Sequence, residues 1–206
     1  MSLGVGLGPG LEGLREGDAL AGAAAVLSPP AELPPAERAA RLRGLFEEGV
    51  ETVLVVGRAV PVRPDWATSG VLFALVSDHL NLTGDNPLVG SNDDSWGPRF
   101  PDLTDAWDPE LRRRLRETLI GEGVELREGV LAGVRAPART GAELSMLRTM
   151  GADMAGEGFV HDAIVARHAG RRIVGLAVLA AGTDLPGEAE RVASVVRAVV
   201  SGLAGA

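Results

Sequence analysis

The chain has 206 residues, a formal net charge of −8 at pH 7, no cysteine, and 20 positive side chains that are all arginine. The acidic balance argues against a nucleic-acid partner, and the missing cysteine excludes disulfides, thiolate nucleophiles and thiolate metal sites. The missing lysine excludes Schiff-base chemistry. The sequence shows no signal-peptide pattern and no apolar run of about 20 residues, so we expect a soluble cytoplasmic protein without a membrane partner.

The N-terminal half predicts a short strand, a linker, a helix and two buried strands. Glycine alternates with apolar residues over 3–8, which indicates a short buried strand. Two Pro-Pro pairs within 21–36 indicate a linker or surface loop. Apolar residues at helical spacing indicate a helix that begins at Pro35. The β-branched apolar runs at 52–56 and 71–76 are typical of strands buried on both faces.

The middle of the chain contains a long segment without strand or helix periodicity. Residues 81–107 are rich in glycine, proline, asparagine and aspartate, and an ordered loop of this length is usually functional. Asp108 is placed to cap a helix over 109–119, which has proline in its first turn. Residues 124–134 then resemble a strand.

The C-terminal half continues the alternation of helices and strands. Thr140, with Glu143 three residues further on, predicts a capping box at the start of a helix over 141–150. Three further elements are predicted: a helix from Asp162, a strand over 172–181 and an amphipathic helix over 186–203. Strands that alternate with helices favour an α/β sandwich with a largely parallel sheet.

Residues 77–108, SDHLNLTGDNPLVGSNDDSWGPRFPDLTDAWD, carry the most specific pattern of the chain. They resemble the central signature of the trimeric purine nucleoside phosphorylases, which runs D-H-I-N-L, G-x-N-P-L-x-G-x-N and G-x-R-F-P-D-M-[ST]-x-A-[YW]-D. The segment MLRTMGADMAGEGFVHDAIVARHAG resembles the L-x-x-L-G-A-D-x-V-G-M-S-T-x-P-E-x-x-V-A-R-H-x-G pattern of the same family. The resemblance extends from about residue 45 to residue 182.

The resemblance implies a three-layer α/β/α phosphorylase-like fold with a mixed, largely parallel sheet. It implies a single domain over 1–206 with a shortened N-terminal part, 1–49. By family habit it also implies a homotrimer with the 84–107 loop at the interface. Trp96 and Phe100 stand where the family presents aromatic side chains across that interface, and the alternative is that they pack within their own chain.

Several positions depart from the residues that the family uses to bind phosphate, ribose and purine. Proline replaces the phosphate-binding serine of the first glycine-rich turn, and arginine replaces the glutamate that recognises the purine. The departures stand at Pro9, Arg58, Val60, Arg139, Glu157, Gly158, Ala180 and Ala181. From them we expect ordinary purine nucleoside phosphorolysis to be absent or trivial. We expect instead an enzyme repurposed for acid–base chemistry, such as cyclisation, isomerisation or elimination, on a small-molecule metabolite or natural-product intermediate.

The candidate site follows from where these replacements would lie. The candidate catalytic residues are Glu157, Arg139 and His161, and the candidate ligand-binding residues are Arg58, Phe159, Asp162, Trp96 and Phe100. Glutamate and histidine suit general acid–base work, while arginine holds an oxyanion. We expect no cofactor and no metal, because three dispersed histidines do not form a metal site.

Alternatives remain open for the residues and for the function. Arg139 with Glu157 could be a structural ion pair, and His161 could be a surface residue at a helix N-terminus. His79 and His168 fit structural roles better than catalytic ones. The chain could also be a non-catalytic structural or regulatory homologue, or a residual nucleoside phosphorylase or hydrolase.

Overall fold

A mixed sheet with helices on both faces forms the core of the protein. The computed structural model describes residues 24–27, 34–66, 70–135, 140–180 and 188–204. In chain order the elements are β1 (Ala24–Leu27), α1 (Pro35–Glu47), β2 (Thr52–Pro61), a 3-10 turn (Pro64–Trp66), β3 (Val71–Asn81), α2 (Pro109–Gly121), β4 (Leu126–Gly133), α3 (Gly141–Thr149), β5 (Met154–Gly156), α4 (Phe159–His168), β6 (Arg172–Ala180) and α5 (Glu188–Ala204).

The sheet closes on itself. Its strand order is β1-β2-β5-β4-β3-β6, and β2 also pairs with β6 along its other edge, so β2, β5, β4, β3 and β6 form a ring. The β1–β2, β2–β6, β3–β4 and β4–β5 pairs are parallel, whereas β2–β5 and β3–β6 are antiparallel. The expected mixed, largely parallel sheet of a phosphorylase-like α/β fold is confirmed.

Alternate residues of the strands face two separate hydrophobic clusters. Val53 and Val55 of β2 lie in a cluster with α1 and α4, while Leu54 and Val56 lie in a second cluster with α2 and α5. Because successive strand residues point to opposite faces, a strand covered by helices on both sides is apolar throughout. This explains the uninterrupted β-branched run and produces three layers.

Two strands are longer than the sequence predicts, and two short strands were not expected at all. β1 lies within the predicted linker 21–36, where it pairs with the edge of β2. β5 has only three residues, too few to show a periodicity. β2 and β3 continue past 56 and 76 because their second halves pair with β5 and β4. The predicted strand at 3–8 lies outside the described residues, so the single-domain prediction for 1–206 with a shortened N-terminal part stays a prediction.

The start of α4 is a further correction. The sequence suggested that this helix begins at Asp162, but it begins at Phe159, after Gly158 in a left-handed conformation with φ of 90°. Asp162 therefore lies in the first turn of the helix and points into the protein, where it is 3% exposed.

Candidate active site

Three strand ends meet at one edge of the sheet. Asn81, Gly133 and Gly156 are the last residues of β3, β4 and β5, and they pair in that order across the sheet. Ala59 of β2 lies opposite Gly156 on its other side. In α/β folds with open or closed parallel sheets, ligand sites commonly lie beyond the carboxyl ends of the strands, because the loops that follow the strands converge there.

Glycine is required in this row because other groups approach the backbone closely. A Cβ atom on Gly156 would lie 3.1 Å from the Arg58 carbonyl oxygen and 3.2 Å from the Ala59 side chain. A Cβ atom on Gly133 would overlap the side chain of Val160 in the first turn of α4. The helix N-terminus is therefore packed directly against the strand ends.

The turn between β5 and α4 is anchored by a buried arginine. Arg38 of α1 donates from Nη2 to the Gly158 carbonyl oxygen at 2.5 Å and to Asp162 Oδ2 at 2.7 Å. The two side chains are 7% and 5% exposed. Burial raises the pKa of Asp162, and the adjacent Arg38 guanidinium opposes that shift.

His161 is the second polar group of this turn. It is 8% exposed, so the alternative that it lies on the surface is wrong. Its Nε2 lies 3.4 Å from the hydroxyl oxygen of Thr83, whose own proton is directed at Asn81 Oδ1, 2.6 Å away. Burial lowers the pKa of His161, and the positive charge of Arg38 lowers it further, so the ring is neutral at pH 7.

Two exposed arginines flank the same edge. Arg58 lies on β2 beside Ala59, and its side chain is exposed. Arg135 follows the end of β4, and its guanidinium lies 3.5 Å from the Asp85 carboxylate. Glu157 is half-buried in the β5–α4 turn. The structure brings Glu157, His161 and Asp162 onto one turn, near Arg58. Arg139 lies outside the described residues, so its position relative to that turn stays a prediction.

Phe159 and the loop aromatics have contrasting surroundings. Phe159 is fully buried and packs beside Trp107, with ring centroids 6.5 Å apart. Trp96 packs within its own chain against the core, under the Arg43 guanidinium at 5.7 Å from the ring centroid. Phe100 is 86% exposed. Ligand contacts for these three aromatic residues stay predictions.

His79 and His168 have structural partners. The indole N–H of Trp107 donates to His79 Nδ1 at 3.1 Å, and His168 Nε2 lies 3.2 Å from Asn92 Oδ1 in the long loop. Burial lowers the pKa of both rings. In the described ranges, no group of three or more His, Cys, Asp or Glu side chains could hold a metal ion.

An open groove of about 520 Å³ lies away from this edge. It is lined by Ser77, Arg116, Ile120, Leu126, Arg127 and Glu128. These residues belong to the middle of β3, the C-terminal half of α2 and the start of β4, so the groove shares no residue with the strand-end site.

Sequence reasoning missed Arg38 and Thr83. A charged residue on a helix is normally placed on the solvent side, so nothing local marks Arg38 as buried. The Asn-x-Thr-x-Asp spacing at 81–85, directly after an apolar run, was the available signal for a polar cluster at a strand end.

The model of the phosphorylase superfamily matches residues 20–204. Similar proteins include purine nucleoside phosphorylase 1 of Geobacillus stearothermophilus, 38% identical over 132 residues, which are 64% of this chain and 47% of that protein. The purine nucleoside phosphorylase of Mycobacterium tuberculosis is 44% identical over 145 residues, 68% of this chain and 49% of that protein. The chain thus spans about half the length of the curated relatives it matches.

Solved structures agree with the sequence comparison. A purine nucleoside phosphorylase in complex with ribose-1-phosphate superposes with a TM-score of 0.71 at 27% identity, covering 79% of this chain and 63% of that one. A Schistosoma enzyme of the same name in complex with guanosine gives a TM-score of 0.71 at 27% identity, covering 79% and 66%. The chain belongs to the phosphorylase superfamily and, within it, to the purine nucleoside phosphorylase family.

The expectation of a repurposed acid–base enzyme was wrong. Proteins named purine nucleoside phosphorylase match most of the chain at 35% to 44% identity, which points to a nucleoside phosphorylase. The expectation rested on replaced and missing residues of the family's phosphate, ribose and purine sites. Anion binding at a helix N-terminus uses backbone N–H groups, which the replacement of a serine by Gly158 does not remove.

The described residues include no helix that is both long and apolar enough to cross a membrane. A cytoplasmic location stays a prediction.

Proposed function

We propose that this chain is a purine nucleoside phosphorylase, which transfers the pentose of a purine nucleoside to inorganic phosphate. The observation that carries the proposal is the 44% identity over 145 residues to an enzyme of that name. The aligned region is long enough to include both the long loop and the strand-end site. The complexes of similar proteins with guanosine and with ribose-1-phosphate hold one substrate and one product of this reaction.

In the reaction, a phosphate oxygen forms a bond to C1′ of the pentose while the bond from C1′ to the purine nitrogen breaks. The electron pair of the broken bond goes to the purine, which takes up a proton. The enzyme must therefore hold a dianion beside the sugar and keep water away from C1′.

The strand-end site has groups suited to the anion. The first turn of α4 follows Gly158, which has no side chain to cap it, so backbone N–H groups are available at the positive end of the helix. The exposed arginines Arg58 and Arg135 add positive charge at the same edge. We propose Arg58 as a phosphate contact and neutral His161 as a hydrogen-bonding partner of the substrate.

The test is release of free base from inosine or guanosine by the purified protein, with and without phosphate. We expect release that depends on phosphate, and we expect Arg58→Gln to raise the KM for phosphate at least about tenfold, because a charge-assisted hydrogen bond is lost. The matched control is Arg197→Gln on the exposed face of α5, with unchanged constants.

Two outcomes would refute the proposal. Release at the same rate without phosphate would indicate a hydrolase. No release by folded protein would indicate a non-catalytic homologue.

We further propose a homotrimer with the 84–107 loop at its interface. Its support is the exposure of large apolar side chains in that loop, since Phe100 is 86% exposed and Val89 is 79% exposed. Large apolar side chains exposed on a polar loop are consistent with an interaction surface.

A further inference from the structure

A buried cation from α1 contacts both ends of the turn that opens α4. One nitrogen of Arg38, Nη2, donates to the Gly158 carbonyl oxygen at 2.5 Å and to the Asp162 carboxylate at 2.7 Å. Arg38 is separated from these partners by 120 and 124 positions in the sequence. The pair therefore forms only when α1 packs against α4 in the folded chain.

The geometry of the turn explains why an anchor is needed. Gly158 has φ of 90°, a conformation that glycine adopts readily, and it has no side chain with which to cap the helix. A glycine at this point gives the backbone wide freedom to rotate. Arg38 restricts that freedom, because its guanidinium fixes the carbonyl before the helix and a carboxylate in the first turn simultaneously.

The burial of the pair indicates a role beyond surface attraction. Arg38 and Asp162 are 7% and 5% exposed, and desolvating two charges offsets much of their mutual attraction. A buried ion pair is therefore weak evidence for stability, and well-packed apolar residues commonly replace one at little cost. What apolar residues cannot replace is the directed hydrogen bond to the Gly158 carbonyl oxygen.

We propose that Arg38 is a positioning residue for nucleoside phosphorolysis, acting through the Gly158 carbonyl and Asp162 to hold the 157–162 turn in its binding geometry. This inference rests on the proposed function. The turn carries Glu157, the first N–H groups of α4 and His161, and a rotation at Gly158 would displace all of them relative to the strand ends. Arg38 itself contacts no substrate.

The test replaces the pair with apolar residues of similar size, in the variant Arg38→Met/Asp162→Leu of the full chain. We expect the melting temperature to stay within about 5 °C of wild type, while the KM for phosphate rises at least about tenfold, because the turn is no longer anchored. Arg38→Lys should give an intermediate KM, since an ammonium group lacks the planar fork of a guanidinium.

The matched control is another ion pair on the far side of the sheet, Arg112 with Glu128, whose side chains are 17% and 21% exposed. Arg112→Met/Glu128→Leu should leave both kinetic constants unchanged. Wild-type constants in a folded Arg38→Met/Asp162→Leu protein would overturn the inference. If that double variant does not fold, Arg38→Lys decides, since a wild-type KM there would overturn it equally.

Failure of the proposed function is distinguishable from failure of this inference. The wild-type protein is assayed first for phosphate-dependent base release from inosine. If the wild-type protein releases no base, the proposed function is wrong. If the wild type is active and the double variant has the same kinetic constants, only the role of Arg38 is wrong.

Discussion

The pKa values of the three histidines of the chain are all shifted in the same direction. His79, His161 and His168 each have a pKa lowered below the ordinary 6.5, with burial as the largest cause. The Trp107 N–H donates to His79 Nδ1, which also favours the neutral form of that ring. If His79 Nδ1 were protonated, its N–H would face the Trp107 N–H, and neither donor would have an acceptor there.

We expect the free energy of unfolding to fall as the pH is lowered from about 7.5 to 5.5. The unfolded chain binds protons at histidine from about pH 6.5 downward, whereas the folded chain resists until its lowered pKa values are reached. The stabilisation is therefore complete above about pH 6.5 and is lost below it. Aspartate and glutamate at ordinary pKa values titrate at lower pH, whereas Asp162, whose pKa is raised by burial, opposes this trend.

Urea denaturation at several pH values measures this dependence. Each histidine contributes a slope of at most about 1.4 kcal/mol per pH unit. His161→Gln should flatten the slope, and replacing all three histidines should remove the fall in stability between pH 7.5 and 5.5. A wild-type stability that does not change over this range would contradict the prediction.

At the scale of single elements, the N-terminal caps of α2 and α3 were predicted best. Thr140 and Glu143 form the expected capping box, and Asp108 caps α2 by accepting from the Leu111 N–H. Burial raises the pKa of Asp108, but its hydrogen bonds from Arg172 and Leu111 outweigh this and hold it below its ordinary value. Caps are predictable because each depends on residues within four positions of one another.

Thr140→Ala should lower the free energy of unfolding by about 1 kcal/mol, because the Glu143 N–H loses its side-chain acceptor. The matched control is Thr149→Ala at the other end of α3. Its hydroxyl donates back to the Ser145 carbonyl oxygen, a bond that adds little to a helix, so we expect a change within about 0.5 kcal/mol. Urea denaturation of both variants decides, and equal losses would refute the role of the cap.

The elements that were missed depend on distant partners. β5 is a strand only because Gly156 and its two predecessors pair with β2 and β4. β1 exists because β2 offers it a free edge. Neither segment has an internal pattern long enough to predict it, since strand pairing is a property of the neighbour as much as of the segment itself.

At the scale of the whole molecule, the long loop is a polar surface segment that also carries exposed apolar side chains. Residues 82–107 follow β3, and Trp96 ties the loop to the core of its own chain. Phe100 stays outside. The loop is thus held by one aromatic residue and presents another, as expected of a preformed interface.

We expect the protein to sediment at three times the 21.3 kDa mass of one chain. Phe100→Asp should shift the population towards single chains, because a charge would be buried at the interface without a partner. The control is Ile120→Asp on α2, a side chain that is 60% exposed outside the loop. A wild-type protein that sediments as one chain at micromolar concentration, or a trimeric Phe100→Asp variant, would contradict the prediction.

The sequence by itself determined the family, the alternation of strands and helices, the caps of α2 and α3, and the position of the long loop. These properties follow from local spacing or from a continuous motif. It also predicted that the 157–162 turn is part of a site, from the replacements at Glu157 and Gly158 and the neighbouring His161.

Only the tertiary structure decided how that turn is held. Arginine and aspartate are usually found on the protein surface. Arg38 and Asp162 nevertheless form a buried pair, although 124 positions separate them in the sequence. No local sequence pattern predicts that a charged side chain is buried, because its burial depends on a partner that only folding brings close.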